Sequence, residues 1–60
     1  MDNRQFFTPT EVAEELKLNL LTIYKYIRSG DLSAVRFGRT YRVSEEDLER
    51  FIEKNKVNKK

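Results

Sequence analysis

The sequence predicts a small α+β domain with three short helices and one two-stranded β-hairpin. Three segments begin with a helix-capping residue and continue with apolar residues at helical spacing. Between the second and third segments, two runs of alternating polar and apolar residues flank Gly38-Arg39, which indicates a hairpin. At 60 residues the chain suits a single domain. A domain of this size has a limited core, because it buries only about 60% of its unfolded surface.

The first helix is predicted over residues 9–17. Thr8 supplies a capping hydroxyl, Pro9 occupies the first helical position, and Glu11 can return a hydrogen bond to the cap. This pattern is a strong signal for a helix N-terminus. The inward stripe of the helix consists of Val12, Ala13 and Leu16.

The second and third helices are predicted over residues 20–29 and 45–54. Asn19 and Ser44 are the capping residues of these helices. Gly30 ends the second helix, because glycine adopts the left-handed cap conformation without steric cost. The two inward stripes are Ile23, Tyr26 and Ile27 on the second helix, and Leu48, Phe51 and Ile52 on the third.

The hairpin is predicted from two runs of alternating polar and apolar residues, over 34–37 and 40–43. A three-residue loop over 38–40 is preferred to a two-residue loop, because it places all four apolar strand residues on one face. Those four residues are Val35, Phe37, Tyr41 and Val43. The same register places Arg36 and Arg42 together on the solvent face, beside Arg39 at the tip.

The charge is concentrated in the middle of the chain. The formal net charge of +2 combines −2 over residues 1–18, +4 over 19–43 and 0 over 44–60. A basic middle is the electrostatic footprint of a protein that meets a polyanion on one side. The alternative is an ordinary solvated surface.

The composition excludes several classes of site. The chain has no Cys and no His, so it lacks the ligands of common zinc sites, a thiol nucleophile and a histidine acid or base. We therefore expect no catalytic residue, no metal and no cofactor, and a protein that is not an enzyme. The apolar runs are too short for a transmembrane helix or a signal peptide, which predicts a cytoplasmic protein.

The first two predicted helices are joined by a tight corner at Leu18, so they form a helix-turn-helix. Lys17 occupies the turn position that is most often glycine, and the turn is expected to be slightly wider than usual. In the DNA-binding form of this motif, the outward face of the second helix enters the major groove. The candidate recognition residues are Asn19, Leu20, Leu21, Thr22, Tyr24, Lys25 and Arg28.

The polar members of this set have different roles. Lys25 and Arg28 suit contacts to phosphate or guanine, and Tyr24 suits phosphate. Asn19 or Thr22 suits phosphate or base edges near the start of the helix.

The apolar and aromatic members of this set can have roles other than DNA contact. Leu20 can instead pack against the hairpin or the third helix, and Tyr24 can be a partly buried ring. Leu21 is expected to be exposed, where it would contact thymine methyl groups or a partner protein.

The hairpin forms a second candidate contact. Arg36, Arg39 and Arg42 lie on or beside its tip, and such a positive arm suits the enhanced negative potential of a narrow minor groove. The alternative is that these arginines only provide solubility or protect the sheet edge.

Residues 7–54 resemble the excisionase-type members of the MerR-like winged helix-turn-helix superfamily. The resemblance rests on TPTEVA at residues 8–13, TIYKYIRSGDL at 22–32, and AVRFGR at 34–39 leading through YRV into EDL at 46–48. It implies a second helix in the major groove and a hairpin wing that reaches the adjacent minor groove. The chain departs from the family pattern at Lys17, at Ser33 where proline is frequent, and at Leu20-Leu21 where polar residues are usual.

Together these features predict sequence-specific binding of double-stranded DNA by a small excisionase-like architectural factor or transcriptional regulator. The alternatives are a DNA-targeting module of a larger recombinase, transposase or regulator, and a protein-interaction module that uses Leu20-Leu21. The predicted organisation is an N-terminal arm over residues 1–7, the winged domain over 8–54 and a basic tail over 55–60. We expect a monomer in free solution, associated with the nucleoid when bound to DNA, with a recombinase or neighbouring copies as candidate partners and no membrane contact.

Overall fold

In the computed structural model, which describes residues 5–57, three helices and three strands are arranged as a small α+β domain. In chain order these are β1 (Phe6–Phe7), α1 (Pro9–Leu16), α2 (Leu20–Ser29), β2 (Val35–Phe37), β3 (Thr40–Ser44) and α3 (Glu45–Lys54). The strands form an antiparallel sheet in the order β1-β3-β2. The predicted helix-turn-helix, hairpin and third helix are confirmed. Within the described residues, each helix is too short and too polar to cross a membrane.

Local capping explains where the helices begin. Thr8 Oγ1 accepts a hydrogen bond from Glu11 N at 3.0 Å, and the Glu11 carboxylate accepts one from Thr8 N at 2.9 Å. This reciprocal pair is the predicted capping box. The side chains of Asn19 and Ser44 each accept a hydrogen bond from a backbone N–H in the first turn of the helix that follows. All three predicted N-caps are therefore confirmed.

Lys17 closes the turn between α1 and α2 in a left-handed backbone conformation, with φ 58° and ψ 44°. The N–H of Lys17 donates to Glu14 O at 3.3 Å, and that of Leu18 donates to Ala13 O at 2.8 Å. These bonds satisfy carbonyl groups at the end of the helix. Lys17 is the one non-glycine residue of the described segment with a positive φ, so it carries the steric cost that glycine avoids.

Replacing Lys17 with glycine is expected to stabilise the domain. Relief of the left-handed strain outweighs the added flexibility of the unfolded chain, and should raise the free energy of unfolding by about 0.5–1 kcal/mol. For a domain of this size the melting temperature would rise by roughly 2–8 °C, as measured by circular dichroism. Lys17→Ala removes the same charge but keeps the Cβ, so it should give no such gain. An equal rise for both variants would contradict the conformational explanation.

The core lies between the three helices and strand β3. Its buried side chains are Val12, Ala13, Ile23, Leu32, Val43, Leu48 and Phe51. The rings of Tyr26 and Phe51 pack at a centroid distance of 5.1 Å, which joins α2 to α3. The inward faces of the helices thus meet in one cluster.

In α3 and in the segment that follows α2, two residues differ from the predicted core. Leu32, which follows α2, is fully buried, and its N–H donates to Tyr26 O at 3.1 Å. Gly30 makes this possible, because its φ of 88° turns the chain back toward the core. In contrast, Ile52 was predicted to face inward but is 43% exposed, at the edge of the stripe of α3.

Strand β1 lies in what the sequence predicts as an N-terminal arm. Phe6 lies opposite Ser44 in β3, and Gln5 O accepts a hydrogen bond from Glu45 N at 2.9 Å. A two-residue strand is too short to show alternation, so the sequence contains no period that could predict it. Residues 1–4 of the predicted arm and residues 58–60 of the predicted tail lie outside the described part of the chain.

The predicted three-residue hairpin loop is wrong. Phe37 pairs with Thr40, so the loop consists of Gly38-Arg39 alone. Gly38 has φ 63° at the first loop position, where a type II′ turn places glycine. The geometry of the turn therefore determines which strand residues pair. The tendency to gather apolar residues on one face does not determine this pairing.

The observed register divides the hairpin side chains differently from the prediction. Val35 pairs with Arg42, and Arg36 pairs with Tyr41. Cross-strand partners share a face of the sheet. The face that carries Tyr41 and the buried Val43 covers the core, and we call it the inner face. The outer face carries Val35, Phe37, Thr40 and Arg42.

Candidate nucleic-acid interface

Helix α2 has one face in the core and one face in solvent. Ile23 is fully buried, whereas Lys25 and Arg28 are exposed and Leu21 is 75% exposed. Thr22 and Tyr24, which are also among the predicted recognition residues, are half-buried. Most of the predicted outward face is therefore accessible to a ligand.

Leu20 does not belong to this accessible face. Its side chain is half-buried and packs against the hydrophobic core. Of the two interpretations of Leu20, packing inside the domain is the one that the structure shows, and Leu21 is left as the exposed apolar residue of the pair. The reason is helical geometry: positions 20, 23 and 27 lie three or four residues apart and share one side of α2.

Tyr24 joins α2 to the hairpin. Its ring meets that of Tyr41 edge-on, with centroids 6.1 Å apart and an interplanar angle of 60°. This arrangement is favourable for two aromatic rings. Because Tyr41 lies on the inner face of the hairpin, the contact holds the hairpin beside the helix that carries Lys25 and Arg28.

The wing, which we define as β2, the Gly38-Arg39 loop and β3, carries three arginines. Arg36 Nε donates to Gly38 O at 2.8 Å, and Arg42 Nη1 donates to Tyr41 O at 2.8 Å. Each bond uses one of the five N–H donors of a guanidinium, so other donors are left for a ligand. Arg39 is exposed at the tip.

The three arginines do not share a face as predicted. Because Arg36 pairs with Tyr41, and Arg42 pairs with Val35, Arg36 and Arg42 lie on opposite faces of the wing. The cause is the two-residue loop, since a shift of one residue moves a strand's side chains to the other face. Arg36 and Arg42 therefore flank the wing from two sides, with Arg39 at the end.

The cations of α2 and the wing differ from those of α3 in whether they form ion pairs. The described ion pairs all involve a cation of α3 or of the chain just after it: Arg50 with Asp47, Lys54 with Asp31, and Lys56 with Glu53. The cations of α2 and the wing form no ion pair with any residue between 5 and 57. These cations are Lys25, Arg28, Arg36, Arg39 and Arg42. We call them the basic surface.

Two wing residues for which the sequence predicts an inward position are exposed on the outer face of the wing. Val35 is 42% exposed and Phe37 is 56% exposed. The signal that could have placed them is the Gly38-Arg39 pair, because glycine at the first position of a two-residue loop is typical of a hairpin turn. With that loop, strand alternation places both side chains on the face away from the core.

Comparisons with known proteins identify the class of this domain. A sequence model of the family described as "Helix-turn-helix domain" matches residues 6–56, and the chain belongs to this family. Its relatives include YvgK of Bacillus subtilis, an uncharacterized protein that is 45% identical over 51 residues. Another relative is Rv0500A of Mycobacterium tuberculosis, whose name proposes that it binds DNA and which is 41% identical over 39 residues.

These relatives are longer than the region they share with the chain. The match with YvgK covers 85% of the chain and 17% of YvgK. The match with Rv0500A covers 65% of the chain and 50% of that protein. No solved structure matches the chain significantly.

Proposed function

We propose that this domain binds double-stranded DNA sequence-specifically, with α2 in the major groove and the wing at the adjacent minor groove. The observation that carries the proposal is the basic surface: five cations on α2 and the wing, without ion pairs to described residues, on two elements joined by Tyr24 and Tyr41. A helix-turn-helix presents the second helix to the major groove. The family match and the name of Rv0500A support the same function.

The residues of α2 divide into positioning and reading roles. Lys25 and Arg28 contact phosphate or guanine, and the exposed Leu21 contacts thymine methyl groups. Asn19 Oδ1 is occupied by the cap hydrogen bond at 2.9 Å, which leaves the amide NH₂ to donate to phosphate or a base edge. Thr22 is the other candidate at the start of the helix.

The wing contributes contacts in the minor groove. Arg39 at the tip enters the groove, where a narrow A·T-rich segment has enhanced negative potential. Arg36 and Arg42, on opposite faces of the wing, contact the phosphates on the two sides.

At the level of cellular role, we propose a small excisionase-like architectural factor or transcriptional regulator of the MerR-like type, which acts on DNA in the cytoplasm. The resemblance of residues 7–54 to excisionase-type proteins supports this role. A DNA-targeting module of a larger recombinase, transposase or regulator is the second candidate. It is favoured by one observation: the chain spans only 17–50% of the relatives described above.

A single copy of the domain is expected to bind alone with modest affinity. One recognition helix and one wing cover about a half-site, and single modules bury roughly 600–1,000 Å² on DNA. The inward stripes of all three helices meet in one core, which leaves no apolar helix face for a coiled coil among the described residues. We therefore propose a monomer in solution that gains affinity from neighbouring copies or from a recombinase already on the DNA.

Selection from a pool of random duplexes tests this function. The pure protein is expected to enrich one short sequence, which is then placed once or twice on a duplex and titrated. Tighter binding per site on the double-site DNA, together with a monomeric mass by ultracentrifugation, supports the arrangement. No enriched sequence would contradict sequence-specific binding. A stable free dimer, or equal affinity per site with no requirement for a partner, would contradict the cooperative monomer.

A further inference from the structure

The outer face of the wing carries an exposed aromatic side chain that the roles above do not use. Phe37 is the last residue of β2 and directly precedes the Gly38-Arg39 loop. More than half of its surface, 56%, is open to solvent. All three residues of β2 are exposed, and β2 is an edge strand of the sheet. The ring lies outside the core cluster and is accessible to a ligand at the wing tip.

We propose that the ring of Phe37 packs against the deoxyribose wall of the DNA minor groove, beside the contact made by Arg39. This inference rests on the proposed function, and it names an apolar contact for the same interface. Arg39 would enter the groove and Arg42 would hold a phosphate, and Phe37 would fill the space between the wing and the sugar edges.

The position of Phe37 relative to α2 supports this contact. Tyr41, on the inner face of the wing, meets Tyr24 of α2, so the inner face is turned toward the recognition helix. Phe37 lies on the opposite face at the tip. The minor groove is only about 6 Å wide, so a wing tip that enters it meets a sugar wall on each side. The wall farther from the recognition helix then faces Phe37.

The surroundings of Phe37 favour DNA over a protein partner. Its neighbours on the outer face are Val35, Thr40 and Arg42, so the apolar patch is small and contains a cation. Apolar patches that bind proteins are usually larger and continuous. The other exposed aromatic residue on this face, Phe6, lies opposite Ser44 on β1, at the far edge of the sheet beyond β3. Proteins that bind the minor groove frequently place apolar side chains in it together with arginines.

Substitution of Phe37 with alanine separates this contact from the charge contacts. Affinity for the selected duplex should fall about tenfold, since roughly half of a phenylalanine side chain would lose its burial. The slope of log affinity against log salt should stay at the wild-type value, because no phosphate contact is removed. The melting temperature should be nearly unchanged. Phe6→Ala is the matched control, with the same residue type on the same face, and should leave affinity unchanged.

A fluorescence experiment locates the contact directly. The chain has no Trp, so Phe37→Trp introduces a single indole at the wing tip. Addition of duplex should shift its emission to shorter wavelength and protect it from acrylamide, whereas the indole of Phe6→Trp should remain accessible. If the protein binds duplex but the indole of Phe37→Trp stays accessible, or if Phe37→Ala binds as the wild type does, the inference is wrong and the proposed function stands. If the wild type fails to bind duplex, the proposed function itself is wrong.

Discussion

Truncation of Ile23 to alanine is expected to remove about half of the free energy of unfolding of the domain and to lower its melting temperature strongly. Ile23 is fully buried at the centre of the cluster formed by the three helices and β3. Truncating a buried isoleucine to alanine lowers the free energy of unfolding by about 2–5 kcal/mol. At roughly 0.05–0.15 kcal/mol per residue, a domain of this length has a total stability of only about 3–9 kcal/mol. Phe51→Ala should act in the same way, because its ring packs against Tyr26.

Thermal and urea denaturation, followed by circular dichroism, measure this effect. Leu21→Ala is the matched control, because Leu21 lies on the same helix but is largely exposed. Its melting temperature should stay close to that of the wild type. Wild-type melting of both Ile23→Ala and Phe51→Ala would show that the inward faces of α2 and α3 are wrong.

Alanine substitutions at Lys25, Arg28 and Arg39 are expected to weaken DNA binding without a large change in stability. All three side chains are exposed, and none forms an ion pair with a residue between 5 and 57. A phosphate contact releases condensed counterions, so each substitution should reduce the magnitude of the salt slope by about 0.9. Titration of a labelled duplex at several salt concentrations gives both the affinity and the slope.

Arg50→Ala controls for net charge in these titrations. Arg50 is also an exposed arginine, but it lies on α3 and pairs with Asp47 at 2.9 Å. The Arg50→Ala substitution removes one positive charge from outside the basic surface and should leave the salt slope nearly unchanged. If Arg50→Ala and Arg28→Ala weakened binding equally, the effect would come from overall charge, and the assignment of α2 to the interface would be wrong.

Features that depend on neighbouring residues were predictable from the sequence. The capping box at Thr8 and Glu11 and the caps at Asn19 and Ser44 fix the helix N-termini through hydrogen bonds within one turn. Gly30 fixes the end of α2 in the same local way. For this reason the bounds of α2 and α3 agree with the prediction.

Features that depend on distant pairing were less predictable. The expected burial of Val35 and Phe37 predicts one hairpin register, but both side chains are exposed in the register that the structure has. Burial is a property of the whole fold, whereas the loop type is a property of Gly38 and its neighbour. Strand β1 likewise exists through its pairing with β3, and two residues alone carry no periodic signal.

In the candidate interface, too, local features were predictable and features that depend on strand pairing were not. The exposed positions of Lys25 and Arg28 follow from helical spacing once the inward face is assigned. The half-buried position of Leu20 follows from the same spacing, because positions 20, 23 and 27 share one side of α2. The exposure of Phe37 depends on the hairpin register, which the apolar pattern alone does not give.

The salt dependence of duplex binding by the wild-type protein tests the central claim most directly. If all five residues of the basic surface contact phosphate, log affinity should fall linearly with log salt with a slope of up to about −4.5. A clearly negative slope that each alanine substitution reduces is the result expected for DNA binding through α2 and the wing. A slope near zero would contradict the DNA interface, because an apolar contact with a partner protein releases no counterions.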